Sequence, residues 1–180
     1  MSTTERKIPL GAALKIAEGL VETFRPACHR IEVAGSARRK RSTVGDLEFG
    51  CIPKAGEPLA PQGTLFQDPG APRSNLLWEA IEAHSDGHNR LRPIKPGSQF
   101  IENDLLWPEK RAMGSRLFKL CLPRRGDIKV ELYLATPETW GAIFTIRTGS
   151  AMFAQSLVTR WTSVSKGGHF KAGRIWAPNG

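Results

Sequence analysis

Val33-Ala34-Gly35-Ser36-Ala37-Arg38-Arg39-Lys40-Arg41-Ser42-Thr43-Val44-Gly45-Asp46-Leu47-Glu48-Phe49-Gly50-Cys51-Ile52 is the stretch on which the fold turns. Its second half alternates. Leu47, Phe49 and Cys51 share one face of a strand, and Asp46, Glu48 and Gly50 share the other. The strand therefore buries one side and holds two carboxylates on its opposite side. Its first half is a strand end, a glycine-serine turn and four basic residues, Arg38 to Arg41. Glycine lets backbone N–H groups approach a phosphate closely, while serine and arginine add directed donors. Gly45, next to Asp46, permits a second close approach. Paired acids so close repel unless a cation lies between them, and hard divalent cations take oxygen ligands of this kind. A bare D-x-E also fits a solvent-facing edge strand. It is the order GS, basic run, G-D-x-E that gives the stretch specificity.

Residues 9–25 carry Leu10, Ala13, Leu14, Ala17, Leu20, Val21 and Phe24 at helical spacing, closed by Pro26. Ile31 and Val33 mark a strand before the turn. Residues 53–74 hold five prolines and read as a long surface excursion. A helix is expected over 75–84 with Ser74 as its N-cap, and residues 85–114 read as irregular. Residues 116–122 and 127–135 read as a strand pair joined by a PRRG turn. In the second, Ile128, Val130, Leu132 and Leu134 form the buried face, and Asp127, Lys129, Glu131 and Tyr133 the other. A third carboxylate from this strand would complete a two-metal site, and period two leaves Asp127 and Glu131 equally eligible. Helices follow over 140–144 and 151–161, placing Trp140 and Trp161 in apolar settings that predict core positions. HFKAGRIW at 169–176 signals a hairpin.

At 180 residues, with 40% hydrophobic and 24% charged residues, the chain has enough apolar content for a sizeable core. No apolar run approaches the ~18 residues of a membrane span, and MSTTERKIPL contains no signal-peptide core. Cys28, Cys51 and Cys121 stand singly, which gives neither a disulfide framework nor a zinc spacing. The expectation is a non-secreted protein of a reducing cytoplasm, in a bacterial or virus-infected cell, without a membrane partner. His84 and His88 have a helical metal spacing interrupted by Gly87, so coincidence outweighs zinc. Net charge is +9, and no Asp or Glu follows Glu138, whereas Arg147, Arg160, Lys166, Lys171 and Arg174 do. A one-sign block of this kind suits a polyanion, with the five cations as candidate DNA-backbone contacts.

Gly35-Ser36-Ala37-Arg38-Arg39 followed by Gly45-Asp46-Leu47-Glu48 resembles the nucleotidyltransferase signature of family X DNA polymerases, the DNA polymerase beta relatives. The likeness covers about residues 8–52 and 116–176, including Arg147-Thr148-Gly149-Ser150, which is similar to the family's T-G-S segment. The resemblance implies an α+β fold. A palm with a small mixed or antiparallel sheet flanked by helices would occupy 1–138, and a short basic C-terminal subdomain 139–180. It also implies that Asp46, Glu48 and Glu131, rather than Asp127, bind two Mg²⁺ ions, with Mn²⁺ as a substitute. Ser36, Arg39 and Gly45 would hold the incoming triphosphate, and Gly149 and Ser150 would lie beside sugar and base. The implied activity is gap-filling or repair synthesis by a monomer, using dNTPs on primer-template or gapped DNA. A template-independent nucleotidyltransferase and a non-catalytic nucleic-acid-binding module are the alternatives. The chain departs from the family at Glu48 and Glu131, where Asp is usual, and at Ile146 and Arg147, where aromatic or small residues are usual. It leaves no room for lyase or exonuclease domains, which implies either a reduced member of viral or phage size or a longer chain cut at Gly180.

Overall fold

The computed structural model describes residues 7–58, 72–85, 91–93, 113–114, 116–122, 128–165, 168–171 and 174–176. In chain order these form β1 (Ile8–Pro9), α1 (Leu10–Phe24), a 3₁₀ turn (Arg25–Ala27), β2 (Cys28–Val33), the single-turn α2 (Gly35–Arg38) and β3 (Thr43–Val44). There follow β4 (Asp46–Pro53), β5 (Ala55–Pro58), β6 (Arg73–Asn75), α3 (Leu76–Ser85), β7 (Arg92–Pro93), β8 (Leu117–Leu122) and β9 (Ile128–Leu134). The chain continues through α4 (Trp140–Thr148) and α5 (Ala151–Val164) to the hairpin of β10 (His169–Lys171) and β11 (Arg174–Trp176).

The architecture is α+β, built on a five-stranded mixed sheet in the order β2-β4-β9-β8-β7. β4 and β9 run parallel; every other pairing in this sheet is antiparallel. Helix α1 buries Ala13, Ala17, Leu20 and Phe24, and the two alanines let its backbone lie close to the sheet. Leu77, Trp78 and Ile81 of α3 join the same core, opposite Leu47, Phe49, Val130, Leu132, Phe118 and Leu120. Trp78 and Phe118 meet with ring centroids 4.9 Å apart, and Phe24 meets His84 edge to face at 6.0 Å. Cys28, Cys51 and Cys121 are buried and form no disulfide with one another.

The second face of the sheet has its own small apolar cluster of Ile52, Ala135 and Trp140, flanked by Ile143 and Phe144. Gly50 admits it. A Cβ there would lie 2.8 Å from Phe144 Cδ2 and 3.1 Å from Trp140 Cη2. Helix α4 thus lies over one end of the face that carries Asp46 and Glu48. Helices therefore cover both faces, and the missing side chain of Gly50 leaves space for Trp140 and Phe144.

Three local expectations change. Asn75, not Ser74, caps α3: its Oδ1 accepts from Leu77 N at 3.1 Å and Trp78 N at 3.3 Å. The basic turn contains a helical turn, α2, and β3, which pairs with β1. Trp161 is not core; α5 buries none of its side chains, and Phe153, Leu157, Trp161 and Val164 form an exposed stripe. Trp140 is buried as expected. His88 and Asp127 lie outside the described residues.

Candidate nucleotidyl-transfer site

Alternation along β4 leaves Leu47 and Phe49 buried and Asp46 and Glu48 half-buried on the opposite face. The parallel register then places Asp46 opposite Lys129, Glu48 opposite Glu131 and Gly50 opposite Tyr133. Neighbouring strands lie ~4.8 Å apart, so the two glutamates occupy adjacent positions on one surface. On the next strand Lys119 is opposite Glu131, and its Nζ lies 3.4 Å from Glu131 Oε1. Tyr133 Oη donates to the other oxygen, Oε2.

Like charges this close are costly. Burial first, and then the charges of Asp46 and Glu131, push the Glu48 carboxyl up to about 7; Arg147 and Arg39 act weakly in the other direction. Among the described residues no three His, Cys, Asp or Glu side chains form a ready-made cage for a metal ion. Glu48 instead turns toward Gly35. That residue has φ +59°, and a Cβ on it would fall 1.7 Å from Glu48 Oε2, so only glycine fits this left-handed position beneath the carboxylate. The donor set nonetheless suits a divalent cation. It is made of carboxylate oxygens, and burial together with the charges of Asp46 and Glu131 disfavours the ionised form of Glu48, a cost that a cation there would offset.

The turn expected to meet phosphate lies directly beside these acids. Ala34 N donates to Glu48 O at 2.8 Å, which ties the turn to β4. Ser36 Oγ is buried and has no hydrogen-bond partner among the described residues. Arg39 Nη1 donates to Thr148 O at 2.7 Å and Gly149 O at 2.8 Å. The two segments read separately as triphosphate and sugar-base contacts, 35–39 and 148–150, are therefore joined by Arg39 across more than a hundred residues of chain. In this state its guanidinium satisfies the carbonyls that end α4, and Ser150 Oγ caps α5 by accepting from Phe153 N at 3.2 Å. Arg38 pairs with Glu32 at 3.4 Å and stacks over Phe144 at 4.8 Å. Gly45, immediately before β4, has only Lys7 Cγ near its Cβ position, at 3.9 Å.

Of the five C-terminal cations, Arg147 and Arg160 have described side chains. Arg147 extends its guanidinium over the Tyr133 ring, 4.0 Å from the centroid, toward the acids. Arg160 is exposed on α5. Lys166 and the side chains of Lys171 and Arg174 lie outside the described set, although the backbones of Lys171 and Arg174 pair in the terminal hairpin. Sequence reasoning passed over Tyr133 and Lys119. Parity already placed Tyr133 on the face of Glu131, and Lys119 comes alongside through the register of the expected 116–122 and 127–135 strand pair. No protein-family model matches the chain, and no curated protein matches it. Among the described residues no helix is long and apolar enough to cross a membrane.

Proposed function

We propose that this chain is a metal-dependent nucleotidyltransferase of the family X DNA polymerase kind, its sheet the palm, extending DNA 3′ ends from dNTPs with release of pyrophosphate. The observation that carries this reading is the parallel register of β4 and β9. It sets Glu48 beside Glu131, with Asp46 one pleat away, against the Gly35-Ser36 turn. A nucleic-acid binder gains nothing by presenting three carboxylates to phosphate. Asp46, Glu48 and Glu131 would hold Mg²⁺ or Mn²⁺. When bound, such ions neutralise phosphate charge and lower the pKa of an attacking hydroxyl.

The protein's own groups have separable tasks. Ser36 Oγ, unpartnered among the described residues and beside the acids, is free to donate to a phosphate oxygen. Arg39 is within reach of the same turn once it releases the Thr148 and Gly149 carbonyls. Gly149 and Ser150, held next to that turn, would border the sugar and base. The net charge of +9 and the acid-free segment after Glu138 provide attraction for the DNA backbone without base readout.

Primer extension on gapped, primed and single-stranded DNA, with each dNTP and rNTP, tests the proposal. Asp46→Asn should reduce incorporation by about 100-fold or more while DNA affinity is kept. Undiminished incorporation overturns the assignment of the Asp46, Glu48 and Glu131 face as the catalytic site. Extension of single strands alone assigns a template-independent transferase. Binding without any incorporation by the unmodified chain assigns the non-catalytic module, the alternative favoured by Arg39's present engagement with backbone carbonyls.

A further inference from the structure

Glu131 is held at both oxygens by side chains that the proposed chemistry does not require. Lys119 Nζ, on a half-exposed side chain, lies 3.4 Å from Oε1. The phenol of Tyr133 donates to Oε2 from two residues further along the same strand face. Tyr133 is the sole tyrosine of the chain and is 7% exposed. Arg147, reaching back from α4, closes over its ring at 4.0 Å. A phenol has one O–H to donate and ordinarily keeps it at neutral pH, so facing a carboxylate it acts as the donor.

A glutamate has three side-chain torsions, and on an open sheet face its carboxylate can turn either oxygen toward the opposing acid. A donor fixed on Oε2 removes that freedom and determines which lone pairs face Glu48. We infer that Tyr133 is a positioning residue: its hydroxyl sets the orientation in which Glu131 meets a divalent cation, and Arg147 clamps the ring from α4. The inference rests on the reading of the acid face as a cation site. Hydrogen-bond partners behind metal ligands typically change metal affinity by about 10–100-fold when removed. The clamp also gives α4 a route to the acids, since any movement of Arg147 unloads the ring that carries the donor.

Tyr133→Phe keeps the ring, its buried area and the Arg147 stack, and removes only the hydroxyl. The test is titration of the full chain with Mn²⁺ alone, following free Mn²⁺ by electron paramagnetic resonance, without nucleotide, DNA or turnover. Thermal midpoints are recorded alongside. The expected result is saturable binding by the unmodified protein and near-complete loss in Glu131→Gln. Tyr133→Phe should bind about ten-fold more weakly at an unchanged melting midpoint. Tyr133→Phe binding like the unmodified protein while Glu131→Gln loses the ion overturns the inference and leaves the cation site standing. Equal binding by the unmodified protein and Glu131→Gln overturns the cation reading, and the inference with it. Should Tyr133→Phe fold poorly, Arg147→Met decides the matter. It leaves the phenol unclamped, so a several-fold weaker Mn²⁺ affinity supports the role and an unchanged affinity removes it.

Discussion

Phe49 and Glu48 are neighbours on β4, yet their side chains obey opposite rules. Phe49 lies fully buried between α1, α3 and the sheet. Glu48, one residue away, faces Glu131 across a parallel ladder and Gly35 across the turn. On the first side each contact lowers the free energy of folding, and a missing methyl is felt as a void. On the second side the arrangement opposes folding: three carboxylates share one surface, and the carboxyl in the middle holds its proton up to about pH 7. The contrast teaches that β4 is stabilised by one of its faces and strained by the other, which is the expected pattern where a site is maintained for chemistry rather than stability.

The sharpest way to break this contrast is to alter each neighbour in turn. Phe49→Ala should destabilise by about 3–5 kcal/mol, the range for deleting a buried aromatic side chain. Glu48→Gln should be neutral or stabilising by up to ~1 kcal/mol near pH 7.5, because it removes a repelled charge and keeps the side-chain volume. Urea unfolding of both variants checks the pair. A Glu48→Gln loss comparable to that of Phe49→Ala would mean that the carboxylate is a structural keystone and that the two faces do not differ in kind.

A middle-sized effect concerns pH. The Glu48 carboxyl is shifted upward, from 4.5 to about 7, so the folded state binds its proton more tightly than the unfolded chain does. Its contribution to stability is therefore complete below about pH 4.5 and lost as pH rises toward 7. Because the side chain is partly exposed, solvent screening reduces the effect to about 1–2 kcal/mol. Thermal melts of metal-free protein should show this extra decline between pH 5 and 7.5, and Glu48→Gln should flatten it. Added Mg²⁺ should restore stability at pH 7.5 and leave pH 5 nearly unchanged. A decline that is identical in Glu48→Gln would assign the pH dependence to other groups.

The core face was legible because burial leaves a periodic trace. Ala13, Ala17, Leu20 and Phe24 recur at helical spacing, Leu47 and Phe49 and then Val130 and Leu132 at strand spacing, and each of them is buried. The same period two put Asp46, Glu48 and Glu131 on the opposite surface. What the pattern lacked was strand order. That β9 lies parallel to β4, with Glu48 level with Glu131, depends on a long crossover whose course no local pattern specifies; Lys119 beside Glu131 follows from the strand pair the sequence did signal. Arg39 shows a second limit. An arginine's reach covers both a phosphate and the carbonyls at 148–149, and the resting partner is chosen by how α4 ends, more than a hundred residues away.

The smallest expected effect tests the same lesson on two helices. In α5 the apolar residues Phe153, Leu157, Trp161 and Val164 follow the spacing that buries one side of α1, yet none is buried. Periodicity reports a face suited to burial; it does not report whether a surface is there to cover it. Met152, on the same helix, is 80% exposed. Its replacement by serine should alter stability by no more than about 0.5 kcal/mol, as for other solvent-facing positions. Leu20→Ala in α1 should cost about 2–5 kcal/mol. Chemical denaturation of both variants, at protein concentrations spanning two decades, gives the comparison. A Met152→Ser loss above about 1.5 kcal/mol, or one that grows with protein concentration, would show that the outer side of α5 is covered in solution. The difference between the two helices would then lie between molecules rather than within one.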